Sequence, residues 1–295
     1  MRPDTPLTIY EIRCADKESR ALFDKADLRA IMGPKLLGYH FEADFAFVFC
    51  EGDADIGGLL SSIPGLTLSQ VHRLRYDEWQ DGANAPPLVI GPLAIYPPSW
   101  AGPKAPPPKV SPNPVHGHLS PFAPLVIDPG LAFGYGGHAT TKACLSFLLR
   151  VYSPQGKGAP KVCLDLGTGT GVLALASARM GAERVLGVDY SHLAIEIARE
   201  NLAMNQLGDK VSFVYGEAAD FASYEAGLVL SNIPLAVHLD LLGKGAYADR
   251  RYLILSGLLP SEADTLTKRL LGSYPYKLID NQRDDRWSSW LLGAE

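Results

Sequence analysis

The spacing of apolar and polar positions in residues 1–80 predicts a small α+β domain. Four segments have the short apolar runs or alternation of strands: residues 7–13, 36–41, 45–50 and 66–74. Helices are expected between them, over residues 17–31 and from a cap on Asp53 to about residue 62. The resulting order is β-α-β-β-α-β, which is the split pattern of ferredoxin-like domains.

Residues 125–295 alternate strands with helices in a different way. Seven strands are expected near residues 162–164, 185–188, 211–214, 227–230, 252–256, 276–279 and 288–292. Helices are expected over residues 172–180, from a cap on Ser191 to about 208, and over 261–271. This alternation predicts a mainly parallel sheet with helices on both faces. The last two strands have no helix between them, so they are expected to form an antiparallel hairpin at one edge.

The two domains are separated by a proline-rich segment, residues 81–124. Ten prolines crowd residues 97–124. Because proline fixes its own φ angle and lacks a backbone N–H, this stretch is expected to be an extended, semi-rigid linker. Residues 88–96, ahead of the prolines, are predicted to form one short hairpin.

Composition narrows the function classes. The chain has 295 residues, 47% hydrophobic and 20% charged, as in ordinary globular proteins. A net charge of −5 argues against direct nucleic-acid binding. The sequence has no signal-peptide core, no long apolar run and no Cys-x-x-Cys pair. We therefore expect a soluble, cytoplasmic protein without a membrane partner or a metal site. We also expect a monomer.

The strongest local motif is Asp-Leu-Gly-Thr-Gly-Thr-Gly at residues 165–171, after a strand and before a helix. Glycines there, including Gly167 and Gly169, allow a tight turn and close approach of a ligand. Asp165 would repel a pyrophosphate but attract an ammonium or sulfonium group. S-adenosylmethionine carries both of these groups. A purely structural turn is the alternative.

Acidic residues follow the next two strands as well. Asp189 is placed to accept the hydroxyls of a ribose. Glu217, or Asp220 beside it, is placed to reach an adenine amino group. Each acid alone is more often a solvated loop charge, but three at successive strand ends favour a nucleoside ligand.

Asn232 ends the fourth strand, within Ser-Asn-Ile-Pro. Methyl transfer to an amine needs a free lone pair, whereas a lysine with a pKa of about 10.4 is mostly protonated at neutral pH. The side-chain carbonyl of Asn232 can hold the N–H groups and aim the lone pair beside the cofactor. The alternative is a turn residue before Pro234.

Residues 127–141 form a second dense motif, Ile-Asp-Pro-Gly-Leu-Ala-Phe-Gly-Tyr-Gly-Gly-His-Ala-Thr-Thr. Phe133 and Gly134 are expected to contact the cofactor, with Phe133 stacking on adenine or serving as a lid. His138 is either a ligand contact or a local hydrogen-bonding residue. Thr140 or Thr141 is predicted to cap the next helix. The loop from Phe133 to Thr141 is expected to hold the methionine end of the cofactor, together with Asp165, Gly167 and Gly169.

Together these motifs resemble the ribosomal protein L11 methyltransferases of the PrmA type. The matching residues are 128–130, 132–134, 136, 138, 140–141, 165–167, 169, 171, 188–189, 232–233 and 253–257. The resemblance implies a Rossmann-like, seven-stranded class I methyltransferase domain over residues 125–295. It further implies S-adenosylmethionine-dependent methylation of lysine and N-terminal amines on a ribosomal protein. The first domain agrees with the family's ferredoxin-like recognition domain in topology only.

Some features depart from the family pattern and leave alternatives open. Residues 135–141 read Tyr-Gly-Gly-His-Ala-Thr-Thr where the family usually has Thr-Gly-Thr-His-Pro-Thr-Thr. Residues 1–80 carry 9 basic and 13 acidic residues, which suits a lysine-rich partner or a merely solvated surface. The alternatives are a methyltransferase for another protein or a small amine, and a non-catalytic S-adenosylmethionine-binding homologue.

Overall fold

A computed structural model describes residues 4–42, 44–76, 87–98, 122–131, 136–153, 158–284 and 286–294. The chain divides near residue 84 into two compact units. Within the described ranges, no helix has the length and apolar character needed to cross a membrane.

The first unit is one antiparallel sheet with short helices. Its elements are β1 (Pro6–Cys14), α1 (Lys17–Lys25), α2 (Leu28–Met32), β2 (Leu36–Glu42), β3 (Phe45–Glu51), α3 (Gly57–Ser62) and β4 (Leu66–Arg75). The strands lie in the order β2-β3-β1-β4, and all neighbours are antiparallel. This is the strand order of a βαββαβ unit.

Two local predictions in this unit are wrong. The helix expected over residues 17–31 is two helices, because the Asp27 side chain caps a new start by accepting from the Ala30 N–H at 3.0 Å. Asp53 does not cap α3. Its carboxylate instead accepts from Arg73 Nε at 2.8 Å and from Thr8 Oγ1 at 3.1 Å.

The second unit contains the large sheet. Its elements are β5 (Leu88–Ile90), β6 (Leu93–Tyr96), β7 (Leu125–Val126), α4 (Ala139–Val151), β8 (Val162–Leu166), α5 (Val172–Met180), β9 (Arg184–Asp189), α6 (His192–Asn205), β10 (Val211–Tyr215), β11 (Leu228–Asn232), α7 (Leu235–Gly243), β12 (Tyr252–Leu258), α8 (Pro260–Ser273), β13 (Tyr276–Arg283) and β14 (Ser288–Ala294). The seven strands lie in the order β10-β9-β8-β11-β12-β14-β13. The first five are parallel, and β14 is antiparallel to both of its neighbours. The predicted α/β fold with an antiparallel edge hairpin is confirmed.

Both faces of this sheet are buried, which explains the nearly continuous apolar runs of its central strands. One face packs with Leu148 of α4 and Leu175 of α5 in a single cluster. The other packs with Leu241 of α7 and Leu266 of α8. These two layers hold the carboxyl ends of the parallel strands in a fixed row.

The segment predicted as a linker, residues 81–124, is not uniform. The expected hairpin forms as β5 and β6, and β7 adds to it in parallel. Leu93, Ile95 and Leu125 join the same apolar cluster as α4, so this hairpin is part of the second unit's core. Burying the apolar side chains of the hairpin in this core lowers the free energy, relative to leaving them exposed to water in a linker. Most of the proline-rich part, residues 99–121, lies outside the described residues.

Candidate functional site

The glycine-rich turn after β8 depends on glycine at defined positions. Gly167, Gly169 and Gly171 have φ angles of +76°, +54° and +80°. A Cβ on Gly167 would lie 2.5 Å from Ile233 Cγ2, and one on Gly171 would lie 2.6 Å from the Phe213 ring. Any side chain at either position would be strained and would displace a neighbour. The turn is thereby held tightly against β11 and β10.

Asp165 lies beneath this turn, at 1% exposure. Its Oδ2 accepts from the Thr168 hydroxyl at 2.6 Å. Burial raises the pKa of Asp165 to about 7, although the Thr168 hydrogen bond opposes the shift, and the nearby charge of Asp189 raises it further. A cation bound here would favour the ionised form of Asp165.

Asp189 ends β9 and ties that strand to the turn, since its Oδ2 accepts from the Gly169 N–H at 2.9 Å. The Gly216 N–H donates to the Asp189 carbonyl at 3.0 Å, which brings the end of β10 alongside. Glu217 follows directly, at the start of a short 3-10 helix (Ala218–Phe221), and is exposed, as is Asp220. The predicted acids therefore lie at adjacent strand ends, as parallel pairing requires.

Asn232 is the last residue of β11 and is half-buried. The next residue, Ile233, donates its N–H to the Ser256 carbonyl of β12 at 3.2 Å. Gly257 makes this approach possible, because it has a φ of +80° and a Cβ there would lie 2.7 Å from the Ile233 carbonyl oxygen. The glycine of the Leu-Ile-Leu-Ser-Gly motif is thus needed to position Asn232.

A buried histidine supports the same turn from below. His238 of α7 is fully buried, and its Nε2 donates to the Ser256 carbonyl at 2.9 Å. Its Nδ1 accepts from the Tyr247 hydroxyl at 2.7 Å. Burial lowers the pKa of His238 to about 4, so it is neutral and structural at physiological pH.

The start of α4 reaches Asn232 from the other side. His138, not Thr140 or Thr141, caps this helix, and its Nδ1 accepts from the Thr140 N–H at 3.4 Å. The Thr140 hydroxyl lies 2.8 Å from the same nitrogen and accepts from Asn232 Nδ2 at 3.2 Å. His138, Thr140 and Asn232 are therefore brought together, whereas Phe133 and Gly134 lie outside the described residues.

Two asparagines that we did not predict join the turn to the Asp-Pro-Gly segment. Asn201 is fully buried on α6; its Oδ1 accepts from the Asp128 N–H, and its Nδ2 donates to the carbonyls of Asp128 and Thr170. Asn205, one turn later, pairs in the same way with both backbone groups of Val126. Each of these side-chain amides accepts from a backbone N–H and donates to the carbonyl of the same residue, as the backbone of a neighbouring β-strand would.

The chemistry of the site fits S-adenosylmethionine. Thr141 Oγ1 is buried at the start of α4 and has no hydrogen-bond partner among the described residues. A hydroxyl and a helix N-terminus together suit the cofactor's carboxylate. The buried acid Asp165 suits its positively charged ammonium or sulfonium group.

Comparison with known proteins identifies the family. The sequence profile described as "Ribosomal protein L11 methyltransferase (PrmA)" matches residues 119–293. A ribosomal protein L11 methyltransferase of Geotalea daltonii is 32% identical over 266 residues, covering 87% of this chain and 78% of the relative. One from Pelobacter propionicus is 32% identical over 236 residues, covering 76% and 70%. The crystal structure of a ribosomal protein L11 methylase from Lactobacillus delbrueckii subsp. bulgaricus has a TM-score of 0.54 at 25% identity, covering 69% of this chain and 95% of that one.

These matches confirm the resemblance inferred from the motifs, the class I methyltransferase fold, and the expectation of an S-adenosylmethionine-dependent N-methyltransferase acting on protein. The chain belongs to the ribosomal protein L11 methyltransferase (PrmA) family.

Proposed function

We propose that this chain methylates lysine and N-terminal amines of ribosomal protein L11, with Asn232 orienting the acceptor amine. The observation that carries the proposal is the placement of Asn232 at the end of β11, beside the glycine-rich turn that follows β8. Its Nδ2 is engaged by Thr140, and no described residue donates to its Oδ1. An acceptor amine can therefore use that oxygen.

The residues divide by the part of the cofactor that each would hold. Asp165, Gly167, Gly169 and the Thr141 hydroxyl would surround the methionine end. Asp189 would hold the ribose hydroxyls, and Glu217 would lie at the adenine end. When bound, S-adenosylmethionine supplies an electrophilic methyl group on a sulfonium. The described residues carry the charges and hydrogen-bonding groups that these parts require.

The acceptor must arrive as a neutral amine, because an ammonium has no lone pair to form the new N–C bond. Asn232 Oδ1 can accept an amine N–H and so direct the lone pair toward the methyl group. The bond that forms is N–CH₃ and the bond that breaks is S–CH₃. Before each transfer, the ammonium form of the acceptor loses one proton to solvent and becomes the neutral amine.

The first unit is proposed to recognise the protein substrate, since residues 1–80 carry four more acidic than basic residues. Opposite charge would steer a lysine-rich partner toward the enzyme. The cytoplasmic location, the monomeric state and the absence of nucleic-acid contact stay predictions.

The test is methyl transfer from labelled S-adenosylmethionine to purified bacterial ribosomal protein L11. The matched control is L11 whose amines have been blocked beforehand by acetylation, which ties up the nitrogen lone pair in an amide. We expect label in the unblocked protein only. Label that appears in another protein of a lysate, but never in L11, would reassign the substrate. Cofactor binding without transfer to any amine would support the non-catalytic alternative.

A further inference from the structure

A chain of hydrogen bonds connects the start of α4 to the end of β11. Asn232 Nδ2 lies 3.2 Å from Thr140 Oγ1, which lies 2.8 Å from His138 Nδ1. The two ends of this chain come from positions more than 90 residues apart. Thr140 is buried at 1% exposure, so solvent does not compete for its hydroxyl.

The direction of each hydrogen bond follows from the helix cap. The Thr140 backbone N–H can only donate, so His138 Nδ1 must be an unprotonated acceptor. The Thr140 hydroxyl must then donate its single proton to the same Nδ1. Its lone pairs are left to accept, and Asn232 must present its NH₂ group rather than its carbonyl oxygen.

The surroundings hold the imidazole in this state. The Trp287 ring contacts His138 edge-on, with ring centroids 5.1 Å apart at an angle of 72°. Burial lowers the pKa of His138, the charges of Arg286 and Lys142 lower it further, and the charge of Asp284 opposes them. His138 is therefore neutral at neutral pH, as the acceptor role requires.

We infer that His138 and Thr140 are positioning residues that lock the side-chain amide of Asn232, so that its carbonyl oxygen faces the methyl acceptor. The inference rests on the proposed role of Asn232. Without the Thr140 hydroxyl the side-chain amide of Asn232 could rotate so that its oxygen and NH₂ group exchange places. The NH₂ group would then face the N–H groups of the acceptor amine. Two donors facing each other cannot form a hydrogen bond, and the lone pair would lose its orientation.

The first test needs no substrate and uses the full-length chain without cofactor. Imidazole ¹⁵N resonances should show His138 as the Nε2–H tautomer at neutral pH. The side-chain NH₂ resonances of Asn232, assigned by their loss in Asn232→Asp, should shift in Thr140→Val. They should lie near their wild-type positions in Thr140→Ser, which keeps the hydroxyl. An Nδ1–H tautomer, or Asn232 resonances unmoved in Thr140→Val, would overturn the inference.

The second test separates positioning from folding and from cofactor binding. Thr140→Val has nearly the same shape as threonine, and we expect its kcat to fall about tenfold. Its dissociation constant for S-adenosylmethionine should stay within about threefold of wild type. Thr140→Ser should recover most of the rate. A rate loss matched by an equal loss of cofactor affinity would instead assign Thr140 to cofactor binding.

His138 offers a matched pair of variants and a pH readout. Asn in its place keeps an oxygen acceptor near the position of Nδ1 and is a favoured N-cap, whereas Phe removes the acceptor. His138→Phe should behave like Thr140→Val, and His138→Asn should recover most of the rate. Protonation makes Nδ1 a donor, so wild-type kcat should fall at a pH below the usual histidine pKa of about 6.5. His138→Asn should lack that additional acid limb.

If the additional acid limb assigned to His138 persists in His138→Asn, the assigned role is contradicted. If no variant, nor the wild type, methylates L11, the proposed substrate fails. The tautomer of His138 and the Asn232 resonances then still decide whether the hydrogen-bond chain exists.

Discussion

Replacing Asn201 by alanine tests how the glycine-rich turn is held in place. The side chain is fully buried on α6 and is not itself one of the predicted ligand contacts. It joins Asp128, within the motif at residues 127–141, to Thr170 in the turn after β8. Asn201→Ala would therefore disconnect two segments of the site without removing a predicted ligand contact.

The size of the effect follows from three hydrogen bonds. Asn201 Oδ1 accepts from the Asp128 N–H at 2.8 Å, and Nδ2 donates to the carbonyls of Asp128 and Thr170 at 3.0 and 2.9 Å. Each such bond contributes about 1 kcal/mol net, and a buried partner left unpaired costs more. We expect the free energy of unfolding to fall by about 3 kcal/mol.

Chemical denaturation, followed by circular dichroism and tryptophan fluorescence, measures this loss. Met204→Ala is the matched control, because Met204 lies exposed on the same helix and should change stability by less than about 0.5 kcal/mol. Asn201→Asp keeps the acceptor but would direct a carboxylate at two carbonyl oxygens, so it should not restore stability. Calorimetry on Asn201→Ala should also show S-adenosylmethionine binding weakened by roughly tenfold, since part of the binding energy must now order the turn.

Two results would refute this reasoning. One is an Asn201→Ala variant that is no less stable than Met204→Ala. The other is an Asn201→Asp variant as stable as the wild type, which would mean that the NH₂ group of Asn201 contributes nothing.

Three further predictions concern the cofactor and the turn after β11. Because the pKa of Asp165 is about 7 without a cation, S-adenosylmethionine affinity should fall as pH drops through 7. Calorimetry in buffers of different ionisation enthalpy should detect proton release on binding. The Asp165→Asn variant should bind the cofactor more weakly and without this pH dependence. Asp189→Ala should weaken cofactor binding by about 1–3 kcal/mol, measured by the same titration. Gly257→Ala should destabilise the chain by roughly 2 kcal/mol or more in denaturation, since its Cβ would collide with the Ile233 backbone, whereas Gly243→Ala, with open space around it, should not.

Sequence pattern predicted the second unit well because its signals are local. Apolar runs such as that of β8 mark strands buried on both faces. Parallel strands align their carboxyl ends, so Asp165, Asp189 and Asn232 could be assigned to one edge of the sheet from their positions in the chain alone. No tertiary contact had to be known for that step.

The features that sequence did not predict depend on distant partners. Asn201 would ordinarily be expected on the solvent side of a helix, and only its contacts with Asp128 and Thr170, 73 and 31 residues away, explain its burial. Its spacing of four residues from Asn205, on the buried face of α6, was the one available signal. Asp53 was misassigned for the same reason, since Arg73 across the sheet takes its carboxylate.

Mass spectrometry of ribosomal protein L11 after incubation with wild type and with Asn232→Ala tests the central claim most directly, with S-adenosylmethionine affinity measured in parallel. The wild type should add methyl groups to amines of L11. Asn232→Ala should add none at matched times, while its cofactor affinity stays within a few-fold of wild type. Methylation by Asn232→Ala at the wild-type rate would contradict the account, as would a loss of cofactor binding equal to the loss of activity.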